Sequence, residues 1–134
     1  MNKLLLNIVT PDGDVFSGEA KSILVTTDNG EVQILAGHAD LIAPLATGRA
    51  KLTLTDGTSR TAAVSGGFIV VSKEGTKVVA TTFEFADEID VKRAESAKQK
   101  AEEALKNAKE TKDIEIAKAK LMRAIARLNA ASDK

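Results

Sequence analysis

"DEIDVKRAESAKQKAEEA", residues 87–104, decides how the chain divides. Up to Phe85 the sequence is rich in Val, Ile and Thr and punctuated by glycine; from Asp87 onward neither Pro nor Gly occurs. Within and just beyond the stretch, Ala94, Ala97, Ala101, Ala104 and Ala108 recur at spacings of three and four. That is the period of one helix face. Leu105 is the large apolar residue among them. Asp87, Glu88 and Asp90 gather where the helix should begin, offering a cap and favourable charge at the positive end of its dipole. A second stripe, Ile114, Ala117, Leu121, Ala124 and Leu128, repeats the spacing. The charged break "KETKD" (109–113) separates the two, with Thr111 or Asp113 as the candidate cap. Two amphipathic helices so briefly connected pack antiparallel.

A buried face of alanine has energetic consequences. Alanine is the best helix former, so each helix holds together by itself, and its small side chain lets two backbones approach closely. Each methyl adds at most ~0.8 kcal/mol of burial. The seam is therefore weak relative to the rods it joins, as a hairpin that can detach or unhinge requires.

Working back from residue 87, the chain reads as short strands: "LLLNIVT", "VFSGEA", "SILVTT", "VQIL", "AKLTLT", "TAAVSGGFIVVS" and "KVVATTFEF". Turn signals at Pro11-Asp12-Gly13, Asp28-Asn29-Gly30, Asp56-Gly57 and Glu74-Gly75 separate several of them. Gly66-Gly67 inside an apolar run predicts a bulge or a strand changing sheets. The pair is no phosphate loop, since no Gly-Lys-Ser/Thr follows. The expected fold class is α+β, with an N-terminal antiparallel β-sandwich or flattened barrel over residues 1–86. An antiparallel two-helix hairpin follows over 87–134.

Charge is balanced, 19 basic against 19 acidic side chains, so no global field attracts nucleic acid or an anionic membrane. The excess is local: residues 112–134 carry 6 basic and 3 acidic groups. With no Cys there is neither a disulfide framework nor thiolate chemistry. "MNKLLLNIVTPDGD" reads as strand and turn, not as a secretion leader, and no stretch approaches the ~20 apolar residues of a membrane span. Any membrane link is thus expected to run through a partner.

Catalytic chemistry finds little support. His38 in "GHADL" is the only histidine, and Ser65 in "VSGG" sits in no nucleophile elbow. A metal site would need ligands that neither Cys nor a second His supplies. His38 reads as a loop or satisfied core residue, and Glu31, after the Asn-Gly turn, as a solvated hairpin residue. Arg123 and Arg127, one helical turn apart on the side of the second helix away from its seam, read as a charged face. They also form a fork suited to carboxylate or phosphate.

The ordered set "PDG", "GE…ILAGHADL…PLATG", "AVSGGFIVV", "IDVKRA" and "RAIARL" resembles the epsilon subunits of bacterial F-type ATP synthase over nearly the whole chain. The resemblance implies a non-catalytic rotor subunit on the cytoplasmic face of the bacterial plasma membrane, peripheral, with no catalytic residue, required cofactor or metal. Its implied partners are the gamma subunit, the c-ring and the catalytic alpha/beta hexamer, with Glu31 and His38 matching positions that face the c-ring's polar loops and the rotor contact. Folded down, the hairpin would permit turnover; extended, it would inhibit ATP hydrolysis. "IDVKRA" is also similar to the signature of members that bind ATP as a regulatory ligand. By that resemblance Asp90 contacts the nucleotide and Ile89 and Ala94 line its base. Arg93, Arg123 and Arg127 supply positive charge, with Glu84 a weaker participant. Lys100 stands where the strongest binders carry Arg. Loss of one forked, charge-assisted contact of ~1.5–3 kcal/mol predicts weak binding. Gln33, Ala36 and Asp40 replace a Gly and two Pro of the usual loop, which loosens that loop when free. The competing readings are an unrelated β-sandwich adaptor with a helical protein-binding arm and, more remotely, a small hydrolase using His38.

Overall fold

The computed structural model describes residues 3–132; the outermost residues of both expected domains, 1–2 and 133–134, lie outside the described residues. Eight strands precede two helices: β1 Leu4–Thr10, β2 Gly13–Ala20, β3 Ser22–Thr27, β4 Gly30–Leu35, β5 Leu41–Pro44, β6 Gly48–Thr53, β7 Ser59–Ser72 and β8 Gly75–Phe85. A 3-10 turn at Ala86–Glu88 leads to α1 Val91–Asn107 and α2 Thr111–Ser132. The strands run β2-β1-β8-β7-β6-β3-β4, with β5 beside β7, and fold over a core that includes Leu6, Ile8, Ile23, Ile34, Leu52, Ile69 and Val78. The sheet is not closed, so the sandwich alternative holds over the barrel.

Two details differ from the sequence expectation, and a third decides between its alternatives. The first and last strands pair in parallel, Leu6 opposite Thr76 through Val9 opposite Val79, within an otherwise antiparallel sheet. So long a stretch of chain lies between them that no tight turn has to join the pair. β5 lies outside the stretches read as strands; it is four residues long, contains a proline and pairs only with β7. Proline is tolerated at such a margin because no ladder bond is asked of its nitrogen. At Gly66-Gly67 no residue is inserted: Ser65 faces Thr82 and Gly67 faces Ala80 in unbroken register. Instead β7 changes neighbour there, pairing with β6 through Val64 and with β5 from Phe68. The strand-switching alternative is the one realised. Both glycines have positive φ, and a Cβ on Gly67 would overlap the Val79 carbonyl.

Small side chains let the hairpin dock. On β7, Ala62 and Val64 point into the sandwich core, while Ala63 on the opposite face belongs to a separate cluster with Ile89, Ala94, Ala126, Ala130 and Ala131. α2 lies on β7 and β6, with α1 packed along it. Asp90 is the N-cap of α1, its carboxylate accepting from the Arg93 amide at 3.1 Å, whereas Asp87 and Glu88 belong to the preceding 3-10 turn. Neither Thr111 nor Asp113 caps α2. Both are helical already, and the Ile114 amide donates to the Glu110 carbonyl at 3.0 Å. Of the first alanine stripe, Ala94 and Ala101 are buried, Ala97 and Ala108 half-buried and Ala104 exposed.

Candidate functional site

The residues singled out for a nucleotide come from three elements. Glu84 is on β8, Ile89 and Asp90 lie between the 3-10 turn and α1, Arg93, Ala94 and Lys100 are on α1, and Arg123 and Arg127 are on α2. The fold brings most of them to one seam. Ile89 and Ala94 pack against the alanines of α2, and Arg127 Nε donates to Glu84 Oε1 at 2.6 Å. Arg123 and Arg127 flank a cleft floored by Ala63, Val64, Ser65 and Thr82. Ser65 and Thr82 share a hydroxyl hydrogen bond of 2.6 Å within that floor. The arginines thus face the sandwich, both half-buried, and do not form a solvated face. Sequence periodicity placed them away from the helix–helix seam but could not show that a second surface covers them.

The donor chemistry suits a polyanion, since Arg123 pairs with no carboxylate within 4 Å among the described residues. The space does not suit one. The cleft holds about 10 Å³, closed by the Glu84–Arg127 pair and by the alanine packing. Ile89 and Ala94, expected to line a base, are buried against protein instead. Asp90 is engaged as a helix cap. Lys100 and Arg93 are exposed, seven residues apart on α1, which is ~10 Å along the axis. For Arg127 to meet a phosphate it has to leave Glu84, and the cleft between α2 and the sandwich has to widen around the ligand.

Glu31 and His38 lie elsewhere on the sandwich. Glu31 is the second residue of β4 and meets Arg49 of β6 in a forked pair, Nε to Oε2 at 2.5 Å and Nη2 to Oε1 at 3.2 Å. That hydrogen bonding, with the guanidinium charge, holds the Glu31 carboxyl below its ordinary value of 4.5. His38, exposed in the loop after β4, donates from Nδ1 to the Ala39 carbonyl at 2.7 Å. With Leu5, Leu35, Asp40 and Lys73 it borders an open cleft of about 400 Å³. Ser65 is bonded to Thr82 in the floor beneath α2, not in the cleft that His38 borders.

One surface was missed by sequence reasoning. Register places Ile42 opposite Val70 and Pro44 opposite Phe68, on the face away from the core. Ile42 is 74% exposed and Phe68 43%. The available signal was continuity: "LIAPL" and "FIVV" are apolar at every position, where a strand with one solvated face alternates.

A family model for the ATP synthase, Delta/Epsilon chain, beta-sandwich domain matches residues 3–86, and one for the long alpha-helix domain of the same chain matches 87–132. The chain is 43% identical over 131 residues to the ATP synthase epsilon chain of Bacillus pumilus, covering 98% of each. It is 42% identical over 132 residues to that of Halalkalibacterium halodurans, again over 98% of each. In fold it resembles a chain of the Euglena gracilis mitochondrial ATP synthase OSCP/F1/c-ring structure. There the TM-score is 0.84 at 23% identity, covering 97% of this chain and 81% of that one.

Proposed function

The chain belongs to the ATP synthase delta/epsilon-chain family, and from that premise we propose that its helical hairpin is a regulatory arm of the central stalk. The epsilon chain is a subunit of the synthase, not itself a catalytic enzyme. The unrelated-adaptor reading falls with the family match. In this proposal the sandwich binds the foot of gamma and rests on the c-ring, carrying proton- or sodium-driven rotation to the alpha/beta hexamer. The hairpin inhibits ATP hydrolysis when it swings out. The apolar strip Ile42, Pro44, Phe68 and Val70 supports a protein contact on the sandwich. Glu31 and His38 serve as partner contacts. No helix among the described residues is long and apolar enough to cross a membrane. The subunit is held at the cytoplasmic face of the bacterial plasma membrane through its complex.

A single observation carries the switch. α2 is fastened to the sandwich by Ala63, Ala126, Ala130 and Ala131 with Ile89, by a half-buried Leu128 at the margin of that cluster, and by one half-exposed ion pair. Alanine methyls contribute ~0.8 kcal/mol each at most, and a solvent-accessible pair ~0.2–1 kcal/mol. Docked and released states then differ by only a few kcal/mol, a gap that ligand or partner binding can reverse. ATP acts on the same seam as a regulatory ligand: Arg123 and Arg127 engage phosphate once Arg127 is withdrawn from Glu84, and the nucleotide holds the hairpin down.

The decisive experiment truncates the chain after Asp87 within the reconstituted synthase. Assembly and coupling should survive while ATP hydrolysis rises. Unchanged hydrolysis would overturn the inhibitory role.

A further inference from the structure

The junction between β8 and α1 is not a plain linker. Arg60, on β7 opposite Leu52 of β6, lays its guanidinium carbon 3.7 Å from the centre of the Phe85 ring. From there its Nη2 reaches Asp87 Oδ1 at 3.3 Å. Phe83 meets the same Phe85 ring edge-on, with centroids 5.3 Å apart. Phe85 and Ala86 are buried, and the Glu88 carboxylate accepts from the Phe85 amide at 3.4 Å. The Ile89 amide closes the turn on the Ala86 carbonyl at 3.3 Å. None of these bonds involves α2. Beyond them, Ile89 and Asp90 both have extended backbone: Ile89 is bonded back to the turn, whereas Asp90 is bonded forward into α1, its carbonyl accepting from the Ala94 amide at 3.0 Å and its carboxylate from the Arg93 amide.

We propose that Arg60 clasps the 3-10 turn to the sandwich as part of that domain, so the hairpin pivots at Ile89–Asp90 and the clasp presets the surface on which α2 docks. The inference rests on the mobile-hairpin reading above, but the clasp itself is independent of it. Geometry supplies the reason. Ile89 is both the last bonded residue of the clasped turn and a member of the cluster that receives Ala126, Ala130 and Ala131. With the turn held, Ile89 waits in place. With the turn loose, docking α2 must also order the turn, and that lost chain freedom opposes docking. The clasp combines a cation over an aromatic face with an ion pair to an exposed carboxylate. Contacts of this kind change a local equilibrium by ~3- to 10-fold.

The chain contains no Cys, so Lys77→Cys and Lys118→Cys give a clean spin-label pair from β8 to α2 in the full-length protein. The pair reads the undocked fraction, and hydrogen exchange at the Ile89 amide reads the turn. In the native chain Ile89 should exchange more slowly than undocking alone would allow. Arg60→Met keeps an unbranched apolar chain over Phe85 but loses the cation. It should reduce Ile89 protection and raise the undocked fraction, each by ~3- to 10-fold. Asp87→Asn, at an exposed side chain, should shift both in the same direction by less. Ile89 exchange that follows the undocked fraction one for one, or protection unchanged in both variants, would overturn the clasp. A hairpin that never undocks would sink the switching reading alone, because Ile89 protection lost in Arg60→Met would still establish the clasp.

Discussion

Gly67 sits where β7 passes from one neighbour to another, with φ at +99° and the Val79 carbonyl filling the place a side chain would take. Gly67→Ala should therefore destabilise the sandwich by ~2–4 kcal/mol, measurable as a shifted urea midpoint with the slope unchanged. The double glycine was legible in the sequence as an anomaly; which of its two alternatives would form depended on register, a non-local property. Glu31 allows a finer test. Its folded pKa is depressed by Arg49, so the pair contributes stability above the ordinary carboxylate value and loses it as pH falls through the lowered one. Both side chains are about two-fifths exposed, so the contribution is ~0.2–1 kcal/mol. The melting-temperature gap between the native chain and Glu31→Gln should be present near neutral pH and close under acid. At Lys100 the expectation concerns affinity. Lys100→Arg should tighten ATP binding by ~10- to 100-fold in a titration of the isolated protein. Arg93→Ala should abolish the signal.

Elements were read from the sequence to different depths for one physical reason. Period alone reveals a face when its residues contrast with their neighbours. Ile114, Leu121 and Leu128 mark the α1-facing side of α2 because they are large. The other docked side, Ala126 and Ala130 beside Arg123 and Arg127, does not stand out in a helix where alanine occurs on nearly every side. β5 was hidden similarly, since Pro44 and a length of four residues argue for a loop until a partner strand supplies the ladder. The hidden face of α2 is the mechanically important one. Ala130 is 1% exposed within it, and Ala130→Asp would bury an unpartnered charge there. Release of the hairpin avoids that penalty. The variant should shift the Lys77–Lys118 label distance wholly to the undocked population. Far-UV circular dichroism should be preserved, because each helix is held by its own propensity. Melting of the helices along with release would show instead that they depend on the sandwich.

At the scale of the whole molecule the two halves are built to different standards. The sandwich buries Leu, Ile, Val and Phe in a continuous core, whereas the hairpin meets it mostly through methyl groups, with Ile89, a half-buried Leu128 and one ion pair. The family was legible in the sequence from ordered short motifs, and so was the alanine stripe of the first helix, of which Ala94 and Ala101 are buried. The sequence could not show that the proposed nucleotide cleft is shut in the docked arrangement, with Arg127 committed to Glu84. An ATP that displaces Glu84 from Arg127 while bridging α2 to the sandwich binds the docked arm better than the released one, so its binding and the hairpin's position form one coupled equilibrium. It is tested most directly by hydrogen exchange across α2 in the assembled synthase, with and without ATP. The docked face around Ala126–Ala130 should exchange through an opening that ATP suppresses, while the sandwich core stays protected throughout. Protection of that face that is uniformly high and unaltered by nucleotide would contradict a lightly held arm and leave a static spacer.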